Sequence, residues 1–169
     1  MNTTNHVIRT ISSSIEISAQ PSVVWSNITN VQIEQFSDPL LFRILDIPKP
    51  LKAELVSEGK HGKRVAYFKN GKRFEQEILE WKPFEAYSFS FNPEKGFKVL
   101  YWFDISTGVF RILSGSYLLV DKGQNITLEL SSNYSIDRRF YFLFKLPVKM
   151  ILKVFQRYLL VSIKRNSML

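Results

Sequence analysis

Cysteine is absent from this chain, which excludes a disulfide framework and any thiolate-ligated metal centre. Histidine is almost absent: His6 lies near the start and His61 sits in a glycine-flanked turn. Two isolated imidazoles make a poor metal site, so no metal and no cofactor are expected. A Ser-His-Asp arrangement would have to recruit one of them, with no nucleophile elbow in sight. Glycine is scarce, at 7 residues, and the stretch from Gly59 to Arg64 lacks the spacing of a phosphate-binding loop. The opening MNTTNHVIRTISSS has neither the basic cluster nor the apolar run of a signal peptide, so a cytoplasmic location is expected. The triplets at Asn27 and Asn125 match the glycosylation pattern but carry no meaning without secretion. Acidic charge is also short: 15 Asp+Glu face 23 Lys+Arg, a net charge of +8. That balance favours anionic partners and says nothing about the fold.

Aromatic residues, by contrast, are plentiful. The chain has 14 Phe, 7 Tyr and 3 Trp, and its 169 residues suffice for one domain, 1–169, with a substantial core. No repeat, low-complexity segment or flexible linker divides it. Residues 7–18 alternate as a strand with Ile11, Ile15 and Ile17 on one face. Pro21 then opens a helix whose Val24, Trp25 and Ile28 share a side. Residues 33–45 read as a second short helical or irregular piece, interrupted at Pro39.

From Leu51 the period changes to two. The pair Asn70-Gly71 between strand-like runs predicts a two-residue type I′ hairpin. In that register Tyr67 faces Phe74, Val65 faces Gln76 and Arg64 faces Glu77. One face then holds Val65, Tyr67, Phe74, Gln76 and Ile78, and Arg64 and Phe68 fall on the other. Further strands follow: Tyr87, Phe89 and Phe91 alternate with serines, and residues 97–105 are extended or loop. A strand around Tyr117 has a bulge expected at Gly115, and the last strand carries Ile126, Leu128, Leu130, Tyr134 and Ile136 inward. The basic residues Lys60, Lys63, Arg64, Lys69, Lys72 and Arg73 read as a solvated hairpin. Without interleaved exposed aromatics, nucleic acid is not an expected partner.

Residues 140–165, FYFLFKLPVKMILKVFQRYLLVSIKR, are the longest apolar stretch. Lys145, Lys149, Lys153 and Arg157 recur every fourth residue and form one narrow basic stripe on a helix running from about Pro147 to Arg165. A membrane span needs about 20 apolar residues, and each central Lys or Arg costs roughly 2.5–3.5 kcal/mol. The stretch therefore reads as a helix laid across a sheet, with the stripe at its solvent edge. Phe140, Tyr141, Phe142 and Phe144, ahead of Pro147, read as a gate to whatever the helix covers.

The order is strand, two short helices, an antiparallel run, then a long helix. The motifs IEISAQPSVVWSNITNVQIEQF, EILEWKPFEAYSF, GSYLLVDKGQNITLEL and RYLLVSIKR resemble the START-like (SRPBCC) superfamily, most closely its polyketide cyclase/dehydrase and lipid-transport branch. The resemblance spans nearly the whole chain but rests on hydrophobic positions. It implies an α+β helix-grip fold: a curved antiparallel sheet of about 6–7 strands around a long C-terminal helix, with two short helices after strand 1. It also implies an internal cavity for a hydrophobic small molecule, lipid-like or polyketide-like. The candidate cavity residues are Tyr67, Phe74, Gln76, Tyr87, Phe89, Tyr117, Leu128, Leu130, Tyr134, Phe142, Met150, Val154 and Tyr158. A binding protein is the leading expectation. A polyketide cyclase or dehydratase using cavity Tyr and Gln is the second. A basic stress or interaction protein with weak contact to an anionic membrane surface is the third. No catalytic residue and no oligomeric state can be assigned from the sequence.

Overall fold

The computed structural model describes residues 5–93, 95–99, 103–104 and 108–169. In chain order the elements are β1 (His6–Ile17), α1 (Pro21–Thr29), β2 (Val31–Gln32), α2 (Leu40–Ile44), β3 (Pro50–Leu55), β4 (Lys63–Phe68), β5 (Arg73–Lys82) and β6 (Ala86–Ser90). After them come the two-residue strands β7 (Asn92–Pro93), β8 (Lys98–Val99) and β9 (Phe103–Asp104), then β10 (Phe110–Asp121), β11 (Ile126–Asp137) and α3 (Tyr141–Ser167). The segment read as extended over 97–105 lies partly outside the described residues.

One antiparallel sheet runs β1-β11-β10-β6-β5-β4-β3-β2, with β7 added beside β5. These are more strands than the six or seven that periodicity reveals, because a two-residue strand such as β2 has no period to detect. The alternation in β1 and β11 places Ile11, Ile17, Ile126, Leu128, Leu130, Tyr134 and Ile136 in the core as expected. In α1, Pro21 occupies the first turn, where its missing N–H costs nothing, and Val24, Trp25 and Ile28 are buried. Trp25 meets Trp81 edge-on at 5.1 Å between ring centroids.

The β4–β5 hairpin differs from the expected one by a single residue. Phe68 N–H donates to the Lys72 carbonyl at 3.0 Å, and Gly71 N–H donates to the Phe68 carbonyl at 3.0 Å. Gly71 has φ +78°. The loop is thus three residues long, a type I turn closed by a left-handed glycine, rather than a two-residue turn. Every pairing slips accordingly: Tyr67 faces Arg73, Ala66 faces Phe74, Val65 faces Glu75 and Arg64 faces Gln76. Because side chains alternate, the slip turns β4 over. Tyr67 and Val65 go to the outer face, while Arg64 and Phe68 are buried.

The bulge in β10 lies between Ile112 and Ser114, not at Gly115. Gly115 has another purpose: a Cβ there would sit 2.8 Å from the Phe89 ring, so the missing side chain lets that ring lie against the strand.

The long helix begins six residues earlier than Pro147 and encloses that proline. Pro147 has no N–H to give the Leu143 carbonyl, but Leu143 is exposed, so water can take that carbonyl's bond. The buried stripe of α3 is Val148, Leu152, Gln156, Leu160, Ile163 and Ser167, spaced three and four apart. Gln156, in its middle, is fully satisfied: it accepts from Ser13 Oγ (2.8 Å) and donates to the Ile11 carbonyl and Ser132 Oγ (2.9 Å each). These bonds clip α3 to β1 and β11.

Candidate functional site

Two small cavities lie between the sheet and α3. The first, about 70 Å³, is lined by Ile47 and Pro48 after α2, by Phe68, Phe74, Phe91, Phe97, Phe110 and Ile112 from the sheet side, and by Phe144, Pro147, Val148, Ile151, Leu152 and Phe155 of α3. No polar side chain contributes. The rings crowd one another: Phe74 to Phe97 is 4.6 Å, Phe68 to Phe74 is 4.8 Å and Phe74 to Phe91 is 5.5 Å between centroids. The second cavity, about 50 Å³, is lined by Val31, Ile33, Pro50, Lys52, Ala53, Arg64, Ala66, Gln76, Phe89, Tyr117 and Leu159, together with Phe68, Phe91 and Phe155. Those last three residues are common to both cavities, so a partition of three phenyl rings separates a wholly apolar chamber from a polar chamber that adds Lys52, Arg64, Gln76 and Tyr117 to a mainly apolar wall.

The polar chamber owes its character to the hairpin slip. Arg64 rises from β4 opposite Gln76 of β5 and is only 3% exposed. Its guanidinium carbon lies 4.7 Å from the Phe89 ring centroid and 5.5 Å from that of Tyr87. Each such desolvated cation–π contact offsets on the order of 2 kcal/mol of the desolvation cost. Among the described residues no carboxylate pairs with Arg64, and its Nε has no hydrogen-bond partner. Gln76 Oε1, also buried, is likewise without a partner, while the buried hydroxyls of Tyr87 and Tyr117 lie close enough to the Arg64 guanidinium to interact with it by charge and hydrogen bonding. Lys49, the other buried cation among the described residues, is treated differently. It donates to the carbonyls of Glu34 and Phe36 and pairs with Asp38 at 3.4 Å. The fold can satisfy a buried cation, and it leaves Arg64 without a counter-charge.

Burial pushes the Tyr117 phenol up to about 12, with the Arg64 charge opposing the rise. Burial raises Tyr87 as well, again against the pull of Arg64. Both phenols are therefore neutral donors at ordinary pH.

The expected site residues sort as follows. Phe74 lines the apolar chamber, and Gln76, Phe89 and Tyr117 line the polar one. Tyr87 packs at its edge, against Phe89 at 5.3 Å. Leu128, Leu130 and Tyr134 are buried in the packed core and line neither chamber. Tyr158 packs edge-on against Phe42 at 5.3 Å, and its hydroxyl has no partner. Four residues lie elsewhere. Tyr67 is on the outer face, beneath the Lys52 ammonium at 5.1 Å. Phe142 is 84% exposed, because the early start of α3 swings it away from the sheet. Met150 is 46% exposed on the same helix side. Val154 lines a surface groove beside Ser12–Ile15 of β1. Of the aromatic run read as a gate, only Phe144 borders a chamber. Most of the lining was missed by sequence reading, above all Arg64, Phe68 and Phe155. The first two were recoverable: a three-residue Lys69-Asn70-Gly71 turn is the other common hairpin for the same dipeptide, and it brings Phe68 to the side of Phe74.

The helix-grip fold of Bet v1/START-like proteins accounts for this architecture, and solved structures share it. Protein MLL2253 from Mesorhizobium loti superimposes with a TM-score of 0.57 at 15% identity, over 94% of this chain and 96% of its own. A protein from Nitrosospira multiformis gives 0.59 at 15% identity, with the same coverage. Norcoclaurine synthase from Thalictrum flavum, in complex with dopamine and hydroxybenzaldehyde, gives 0.58 at 14% identity, over 95% and 87%. At these identities the likeness concerns the fold. No family model and no curated protein matches the sequence. Among the described residues no helix is long and apolar enough to cross a membrane.

Proposed function

We propose that this chain binds a hydrophobic small molecule between its sheet and α3. The observation that carries the reading is the apolar chamber, lined without exception by aliphatic and aromatic side chains. Its volume of about 70 Å³ is well below the roughly 300–1,000 Å³ of a pocket holding a drug-sized ligand. Binding therefore requires the rings of Phe68, Phe91 and Phe155 to swing aside, which joins the two chambers, and the surrounding wall to expand further. The phenyl walls favour a lipid-like or aromatic molecule, the ligand classes of the branch this sequence resembles. The synthase of like fold holds two aromatic compounds, which supports the same reading. Native mass spectrometry of protein freshly purified from cells tests it. A companion mass that leaves on denaturation is expected, and protein that is bare in every preparation, including after incubation with lipid extract, overturns it.

A second reading concerns the surface. The entire formal excess of +8 resides in residues 138–169, which carry eight Lys or Arg and no Asp or Glu. On the first turns of α3, Phe142, Leu143, Leu146 and Met150 are exposed among these charges. Apolar side chains flanked by an excess of cations, of which Arg139 is paired with Asp137 at 2.6 Å, suit an anionic bilayer surface, and Phe144 of the same turns borders the apolar chamber. Flotation with phosphatidylserine vesicles tests this. Binding that weakens from low to high salt is expected, and no flotation at low salt overturns it.

A further inference from the structure

We infer that Arg64 is the anchor for a carboxylate on the bound molecule, so that the ligand is an amphipathic monocarboxylate rather than a neutral hydrophobe. The inference rests on the proposed binding cavity and specifies its occupant. Arg64 is held in the second chamber, nearly inaccessible to solvent, with its Nε unpartnered and no carboxylate beside it among the described residues. A buried cation without a counter-charge is costly, and the fold shows at Lys49 that it can supply one. What is missing around Arg64 among the described residues is therefore an anion, which a ligand can bring.

The neighbours suit that anion. The Tyr87 hydroxyl is buried beside the Arg64 guanidinium and keeps its proton to donate, and Gln76, whose Oε1 is unpartnered, can present its NH₂ by a half-turn about its last side-chain bond. Tyr117 lines the same space. The geometry also fits. A space of about 50 Å³ holds a planar carboxylate, since one water needs roughly 10–15 Å³ on the same measure. A tetrahedral phosphate, bulkier and doubly charged, suits it less. Beyond the ring partition lies the apolar chamber, which would take the rest of the molecule. Lys52, at the outer side of the polar chamber, pairs with Glu54 at 2.8 Å and so leaves the inner charge to Arg64.

The test is a charge series of probes of one length: octanoate, octan-1-ol, octylammonium and octyl phosphate, titrated by calorimetry into the wild-type protein and Arg64→Met. Wild type is expected to bind octanoate at least tenfold more tightly than octan-1-ol and octyl phosphate, and octylammonium least. Arg64→Met is expected to lose the preference for octanoate while keeping octan-1-ol. The wild-type series decides the matter even should the variant fail to fold. Equal binding of acid and alcohol overturns the carboxylate anchor but leaves the cavity standing, and tighter binding of octyl phosphate overturns the choice of carboxylate. If none of the four binds, the cavity reading itself falls, and this inference with it.

Discussion

Arg64 shows how much one side chain's placement can decide. In the polar chamber its charge is desolvated, and two aromatic faces compensate only in part. Replacing it with Met, of similar length and without charge, is expected to stabilise the ligand-free protein by about 1–3 kcal/mol, a rise of several degrees in Tm. Urea and thermal unfolding check this, and a loss of stability would show that Arg64 is held for structure. Tyr117 gives the second residue-scale expectation. Its phenol is pushed up to about 12 in the fold, against roughly 10 in an unfolded chain. The folded state therefore prefers the protonated phenol. Its contribution is complete below pH 10 and disappears as pH rises to about 12, a loss of roughly 2–3 kcal/mol. Tyr117→Phe should make the fall in stability between those pH values shallower in urea titrations, and an unchanged slope would refute the assignment.

At the scale of elements, the long helix and the β4–β5 hairpin differ in how legible they are. Strand alternation in β1 and β11 is a local pattern, so their buried faces can be read directly, whereas the wide apolar arc of α3 leaves its inward stripe open. The hairpin register depends on which of two turns Lys69-Asn70-Gly71 adopts, and both are compatible with the same residues. Packing of Phe68 against Phe74 and Phe97, at 4.8 and 5.0 Å, accompanies the choice. That contact is set by residues far along the chain, which no local pattern can weigh. The start of α3 is similar. Pro147 marks a helix beginning in isolation, yet the helix continues back to Tyr141, where Asp137 caps the preceding turn by accepting from Arg139 N–H at 2.9 Å. The proline costs a hydrogen bond inside the helix. Pro147→Ala is expected to stabilise the protein, by up to about 3 kcal/mol, measured by urea unfolding. Destabilisation would mean that the proline ring's place in the chamber wall outweighs the backbone cost.

For the whole molecule, the proposed binding predicts that the empty state is less stable than a filled one. A molecule that binds only the folded chain adds RT ln(1 + [L]/Kd), about 2.7 kcal/mol at a hundredfold excess over Kd. Protein stripped of its companion by denaturation and refolding should therefore melt several degrees below freshly purified protein, and adding back the extracted material should restore the difference. Coincident melting curves would deny that any natural ligand occupies the site. The vesicle test belongs to this scale too, because the excess charge lies along α3 and the turn before it while the remaining 137 residues are neutral overall.

By itself the sequence determined the order of elements, the inward faces of β1 and β11, the aromatic core and the exclusion of thiolate chemistry. All follow from composition and short-range periodicity, which act within a few residues. Only the tertiary structure decided the one-residue slip of the hairpin, and with it the burial of Arg64 beside Gln76, Phe89 and Tyr117. It also decided that Phe144 and Phe155, rather than Phe142 and Met150, face the cavity. The reason is common to both: a side chain's face is fixed by the register of its whole element, and register is settled by contacts between distant parts of the chain.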